Sequence, residues 1–267
     1  MTRIFQQSRR TLFRVKAEPQ IKELLTSYGP VSVISFGVSG AMSTAQRQRF
    51  VDLVHRLQPA ALVDGSDYRT LPDSAIPSSV EPGLWTVTAT INQTAGFKKF
   101  DNAWKSPADL TFTFLDIVSK GGTYVMNVGA TAEGIIPRPI PATLKSLGDW
   151  LQVNGEAIHG AGPTRIGSSP SWRCTSKPGK LFVTVFQWPD TPLELKQVPG
   201  KVTRAYLLAD KSHAPLKVGE ESGTVKISLP KDPPLEFEIP ERVNPRFAAM
   251  AARSRVRCVV VLETSSN

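Results

Sequence analysis

The sequence predicts an α/β segment followed by an all-β segment, and three observations carry that reading. Helical and strand-type periodicities alternate over roughly the first 155 residues, short β-type runs bounded by turn residues replace them after Gly160, and the junction at 160–168, GAGPTRIGS, has linker composition. Strands separated by helices connect as parallel strands with crossovers. About four such strands are expected, which is half of a closed (β/α) barrel, since closure needs eight, or else a small open sheet. The later runs fit an antiparallel sandwich of roughly 100 residues. Two domains are therefore expected, 1–162 and 163–267.

Each element has its own signal. Residues 20–27 form a short amphipathic helix, stopped by Tyr28-Gly29-Pro30, and 31–36 is an apolar strand. Residues 44–57 repeat as a helix with Phe50, Leu53, Val54 and Leu57 on one face. Strands at 60–63 and 85–91 follow, the second rich in β-branched residues. Ser106-Pro107 opens a helix with a cap followed by proline, carrying Leu110, Phe114, Leu115 and Ile117 as far as Lys120, where Gly121-Gly122 ends it. A strand at 123–128 and a helix at 141–153, with Leu144, Leu147, Trp150 and Leu151, close the α/β part. The sandwich strands are expected at 181–186, 193–196, 202–208, 223–229 and 256–262.

Composition narrows the function classes. A chain of 267 residues at 40% hydrophobic can bury a sizeable core. No apolar run approaches the roughly 18 residues of a membrane span, and the start, MTRIFQQSRRTLFRVK, has no long apolar stretch after its charges, so neither a membrane segment nor an export signal is expected. The net charge of +9 is spread out, densest between Arg3 and Lys16 and between Arg246 and Arg257, without a nucleic-acid module or interleaved stacking aromatics; a solvated basic face is expected, not a nucleic-acid partner. Cys174 and Cys258 allow at most one disulfide, and no Cys/His cluster has metal-ligand spacing, so neither a metal nor a cofactor is expected.

The stretch SKGGTYVMNVGATAEGIIP, residues 119–137, surrounds one apolar strand with glycines. The pair at 121–122 lets the helix end and the chain turn, while Gly129 and Gly134 suit a tight loop over the carboxyl end of the strand, where barrel enzymes place their sites. With LKSLGDWLQVNGEAIHGAGPTR at 144–165, QIKELLTSYGPVSVISF at 20–36 and WTVTATINQTAGFKKFDNAWKS at 85–106, the region closely resembles the α-L-fucosidases, the retaining family-29 glycoside hydrolases. The resemblance is close over about residues 16–165 and looser beyond. It implies a (β/α) barrel, often imperfect, followed by a small β-sandwich; the fold expected is thus a partial barrel of about four strands with a C-terminal sandwich. The family's first barrel strands and paired sugar-binding histidines have no counterpart here, so the chain resembles the later half of the catalytic barrel plus the sandwich.

Retaining hydrolysis needs two carboxyl groups about 5 to 5.5 Å apart, one a nucleophile and one an acid and then a base. The resemblance puts the family nucleophile, the aspartate of a Trp-Phe-Asp phrase, at Gly37 in Ser35-Phe36-Gly37, and the acid/base, a glutamate after tryptophan, at Thr86 beside Trp85. Neither is a carboxylate, and a hydroxyl such as that of Thr86 titrates far too high for acid work near neutrality. Substrate-contacting positions of the family fall at Ser35, at Ser66 where an arginine is usual, and at Ala95 and Phe97 in place of a Trp-Gly-Tyr phrase; the asparagine after the glycine pair falls at Thr123. Residues that pack are kept and residues that would touch a fucose are lost. Asp67, Asp73 and Glu81 are conceivable replacement acids, although loop acids are usually just solvated.

Other candidates point less far. His55, His159 and His213 read as isolated surface or helix residues, Ser35, Ser39 and Ser43 have no His/Asp partner in sight, and Trp85, Trp104, Trp150 and Trp172 read as packing residues. Trp188, in a QWPD turn, is the aromatic expected to be most exposed. The function expected is that of an α-L-fucosidase-family hydrolase with a fucosylated glycan as ligand, in a copy deficient in catalysis. The alternatives are a non-catalytic glycan- or protein-binding module and one half of a barrel completed by another chain. Because four parallel strands leave open edges, a homo-oligomer or a complementing N-terminal half-barrel chain is the expected partner.

Overall fold

The computed structural model describes residues 13–36, 42–166, 168–231 and 258–265. The chain divides into two compact units, residues 1–70 with 83–85 and residues 71–82 with 86–267.

In the first unit, a π-helical turn at Phe13–Ala17 leads into α1 (Glu18–Ser27), and α2 (Thr44–Leu57) starts at a reciprocal cap. Ser43 Oγ accepts from the Gln46 backbone N–H, and the Gln46 side chain accepts from the Ser43 N–H at 2.9 Å, so two otherwise orphaned donors are satisfied. Strands β1 (Val33–Ile34) and β2 (Leu62–Val63) run parallel, with Ile34 opposite Val63. Leu25, Val51, Val54, Ala61 and Val63 form the core, with Ile34 and Phe36 packed against it. β1 is much shorter than the apolar run at 31–36, because the Val31 N–H bonds the side-chain oxygen of Gln58 at 2.7 Å instead of a neighbouring strand. The same amide group donates to Leu25 O and Gly29 O, so one glutamine closes the turn between α1 and β1.

β3 (Tyr68–Pro72) has no apolar alternation and was not expected as a strand. β4 (Leu84–Thr90) and β5 (Thr123–Asn127) run parallel from Thr86 opposite Thr123 to Thr90 opposite Asn127, and these paired residues belong to the second unit. β1 and β2 form one parallel pair and β4 and β5 another, with β3 beside β4 in the latter sheet, in the order β3-β4-β5, where four successive strands were expected. Between β4 and β5 lies α3 (Pro107–Ser119), begun by a second reciprocal cap in which Ser106 Oγ accepts from the Asp109 N–H and Asp109 accepts from Ser106. α4 (Pro139–Asn154) starts two residues earlier than expected, its prolines at the first turn where no intrahelical donor is needed.

Eight strands follow: β6 (Gly162–Pro163), β7 (Trp172–Lys177), β8 (Lys180–Val185), β9 (Leu193–Lys196), β10 (Lys201–Leu207), β11 (Lys217–Glu221), β12 (Thr224–Ser228) and β13 (Cys258–Ser265). They pair antiparallel in two sheets, ordered β10-β13-β8-β7-β6 and β11-β12-β9. β7 and β11 lay outside the five runs expected, being too polar to show the pattern, and the first two residues of the expected run at 256–262 lie outside the described residues.

The larger sheet is buried on both faces. One face, with Val183, Val185, Val260 and Leu262, packs on Leu195, Val225 and Ile227 of the smaller sheet; the other, with Phe182, Phe186, Val259 and Val261, packs on Leu115 of α3 and Trp150 of α4. That is why β8 and β13 read as unbroken apolar runs. Cys174 and Cys258 are both buried free thiols, and burial pushes the Cys174 thiol up to about 12.

Candidate active site

Functional groups in βα folds gather past the carboxyl ends of parallel strands. In the first unit, Ser35 is the residue after β1 and Asp64 the residue after β2, and the register that sets Ile34 against Val63 makes them neighbours. Ser35 Oγ donates to Asp64 Oδ2 at 3.0 Å, and Thr70 Oγ1 donates to Oδ1 at 2.9 Å. Arg47 of α2 reaches the Asp64 carbonyl at 3.4 Å and lies over Gly65, whose φ of +74° and missing Cβ let the guanidinium approach. The loop is closed by Gly65 N–H to Tyr68 O and by Ser66 and Asp67 N–H to Val63 O. Ser66, expected from the resemblance to fall at an arginine position, is exposed in this loop.

His55 is not isolated. Its Nε2 lies 2.9 Å from Asp67 Oδ2, which also accepts from the Val63 N–H at 2.7 Å. That backbone bond, and next to it His55, hold the Asp67 carboxyl below the usual carboxylate range against the opposing effect of burial. Asp67 is thereby a brace of the loop and a poor proton donor near neutrality.

In the second unit, the carboxyl ends of β4 and β5 carry Ala95, Phe97 and Asn127. The Asn127 side chain donates to Ala95 O, and a Cβ on Gly129 would stand 2.8 Å from the Phe97 backbone nitrogen, so this glycine allows two loops to touch backbone to backbone. Buried Asp101 fixes the loop from within, accepting from Gln93 N–H, Thr94 Oγ1 and Ala103 N–H. Ala95 and Phe97 are exposed, Phe97 by 44%. Thr86 and Thr123 are register partners near the amino end of the same pair, four residues or about 13 Å from the Asn127 end. Ala95 and Phe97, expected from the resemblance to contact substrate, thus lie past the carboxyl ends of the pair, while Thr86 and Thr123, also singled out by it, lie at the opposite end of the strands. Asp73 is paired with Lys105 at 2.9 Å, and its charge, after burial, helps push the Tyr124 phenol up to about 12. Gly37 and Ser39 lie outside the described residues.

The tryptophans pack as expected with one change. Trp188, expected to be the most exposed aromatic, is half-buried against the sandwich core, and its indole N–H donates to Pro230 O at 2.8 Å. His213 stacks on the Tyr206 ring at 4.3 Å. Asp64, Asp101 and Asn127 escaped the sequence reading; for Asp64 the available signal was its place directly after an apolar strand.

A family model described as alpha-L-fucosidase matches residues 2–156. An alpha-L-fucosidase of Dictyostelium discoideum is 25% identical over 232 residues, covering 79% of this chain and 48% of its own length. One of Branchiostoma floridae is 30% identical over 171 residues, covering 61% and 38%. The chain thus spans about half or less of the curated relatives it matches. Among solved structures, alpha-L-fucosidase isoenzyme 1 from Paenibacillus thiaminolyticus superposes with a TM-score of 0.75 at 23% identity, covering 94% of this chain and 62% of that one. The alpha-L-fucosidase from Vibrio sp. strain EJY3 gives 0.76 at 23% identity, covering 96% and 46%. These likenesses show the fold, a partial (β/α) barrel followed by an antiparallel β-sandwich, and the family match over more than half of the residues shows that the chain belongs to the α-L-fucosidase family.

Proposed function

We propose that the chain takes a terminal α-L-fucosyl group on a fucosidase scaffold and, in this copy, does not hydrolyse it by itself. The observation that carries the reading is a fucosidase fold without the expected carboxylates: the family model and the solved fucosidases match the chain, whereas Gly37 and Thr86 stand where the family resemblance places nucleophile and acid/base. Removing a nucleophile lowers turnover by a factor on the order of 10³ or more, and losing its partner adds little because they act as a unit. With 4-nitrophenyl α-L-fucopyranoside as substrate, no release of nitrophenol is expected without added anion. Azide or formate, small enough to occupy the space of a missing carboxylate, would produce turnover if the rest of the pocket is intact. Turnover in their absence would overturn the assignment of position 37.

A second reading, a barrel half completed by another polypeptide or another copy, is favoured by apolar strand residues left open to solvent: Val33 at 51% and Leu84 at 54% in the first unit, and Val125 at 44% in the second. A completed barrel would still lack the carboxylate at position 37.

A further inference from the structure

Asp64 is held in a way that leaves half of its accepting capacity open at the end of a parallel strand pair. One hydroxyl donates to each carboxylate oxygen, Ser35 to Oδ2 and Thr70 to Oδ1. A carboxylate has about four lone-pair positions, so one on each oxygen remains, side by side. The side chain is not needed to shape its loop, which is already closed by backbone bonds at 63–68 and by the Asp67 carboxylate on the Val63 N–H. Its two donors come from exposed positions, where a hydrogen bond adds little to stability. What Ser35 and Thr70 do instead is fix the plane of the carboxylate.

The surroundings select the chemistry of a ligand. The charge of Asp64 disfavours anions. A metal ion would want several oxygen anions, and among the described residues no group of three or more His, Cys, Asp or Glu is placed to hold one. The guanidinium of Arg47, bonded to the Asp64 carbonyl, disfavours organic cations and offers further N–H donors. Tyr68, buried beside the cluster, is kept protonated, its phenol raised by burial and then by the Asp64 charge. A neutral ligand with adjacent hydroxyl groups satisfies this set: two O–H donors for the two free lone pairs, and oxygen acceptors for Arg47.

We propose that Asp64 is a ligand-binding carboxylate that accepts two adjacent hydroxyls of a pyranose, with Ser35 and Thr70 as the residues that position it and Arg47 as a donor from the neighbouring helix. The proposal rests on the fucosyl reading above and adds a residue to it. The test is calorimetry on the full chain with L-fucose and its 2-, 3- and 4-deoxy analogues, alongside Asp64→Asn and Ser35→Ala, with urea unfolding to confirm that each variant folds. Asp64→Asn is expected to weaken L-fucose binding about ten- to a hundred-fold, the range for a hydrogen bond to a charged group. Ser35→Ala, which keeps the carboxylate but loosens it, is expected to weaken binding several-fold. Removing one of the bound hydroxyls from the sugar costs the wild type about ten-fold and Asp64→Asn almost nothing, because the lost contact is the same one. Equal deoxy penalties in both proteins, or unchanged affinity in both variants, overturn the role of Asp64 and leave the fucosyl reading standing. No binding of L-fucose to the wild type overturns both.

Discussion

Asp116 on α3 shows how much one residue can depend on a distant partner. Its carboxylate lies 2.7 Å from Lys120 Nζ and 2.5 Å from Arg173 Nε, and all three side chains are nearly buried. Arg173 also lies over the Phe112 ring, 5.0 Å from its centre, so the ion cluster ties α3 to β7. Removing this anion deprives two nearly buried cations of their shared partner. Asp116→Ala is expected to cost about 3–5 kcal/mol in urea unfolding, and a loss below about 1 kcal/mol would show that water already reaches the site. None of this was visible in the sequence, where Asp116 is one polar residue in an apolar helix and Arg173 stands far along the chain. Legibility varied in the same way among the site residues. The proposed loss of a carboxylate at Gly37 rests on the phrase Ser35-Phe36-Gly37, whereas the role proposed for Asp64 depends on Ser35 and Thr70, which no local pattern connects to it.

At the scale of elements, helices were legible because their signals are local. Ser106-Pro107 marked the start of α3 correctly, and the structure adds the reciprocal bond from Asp109. Ser106→Ala is expected to destabilise the protein by about 0.5–2 kcal/mol, the usual worth of an N-cap, read as a lower urea midpoint at unchanged slope. Gly129→Ala tests a different kind of constraint. A methyl there would meet the backbone of Gly96 and Phe97, which cannot rotate away as a side chain could, and a loss of about 1–3 kcal/mol is expected. Full retention of stability would mean that the two loops part freely. Strands were legible when apolar: β5, β8 and β13 announce themselves, while the more polar β3, β7 and β11 do not. β11 is an edge strand with four of its five residues exposed, so its conformation is set by hydrogen bonds to β12 and not by an apolar pattern.

For the whole molecule, the apolar residues left open on the barrel strands are the feature with consequences. Val33, Leu84 and Val125 are apolar strand residues more than two-fifths exposed. The isolated chain is expected to self-associate, or to associate with a polypeptide supplying further strands, and light scattering coupled to size-exclusion chromatography measures this directly. A compact monomer across the micromolar range would count against it. The sequence by itself determined the order of helices, the change from parallel to antiparallel grammar near Gly160, and membership of a glycosidase family, because helix caps, apolar periodicity and family phrases are properties of neighbouring residues. Only the tertiary structure decided that β1–β2 and β3–β4–β5 are separate sheets, that the large sheet is covered on both faces, and that Ser35, Asp64 and Thr70 meet. Those outcomes depend on which distant backbone groups find each other, and hydrogen bonds between residues far apart in the chain leave no trace in local composition.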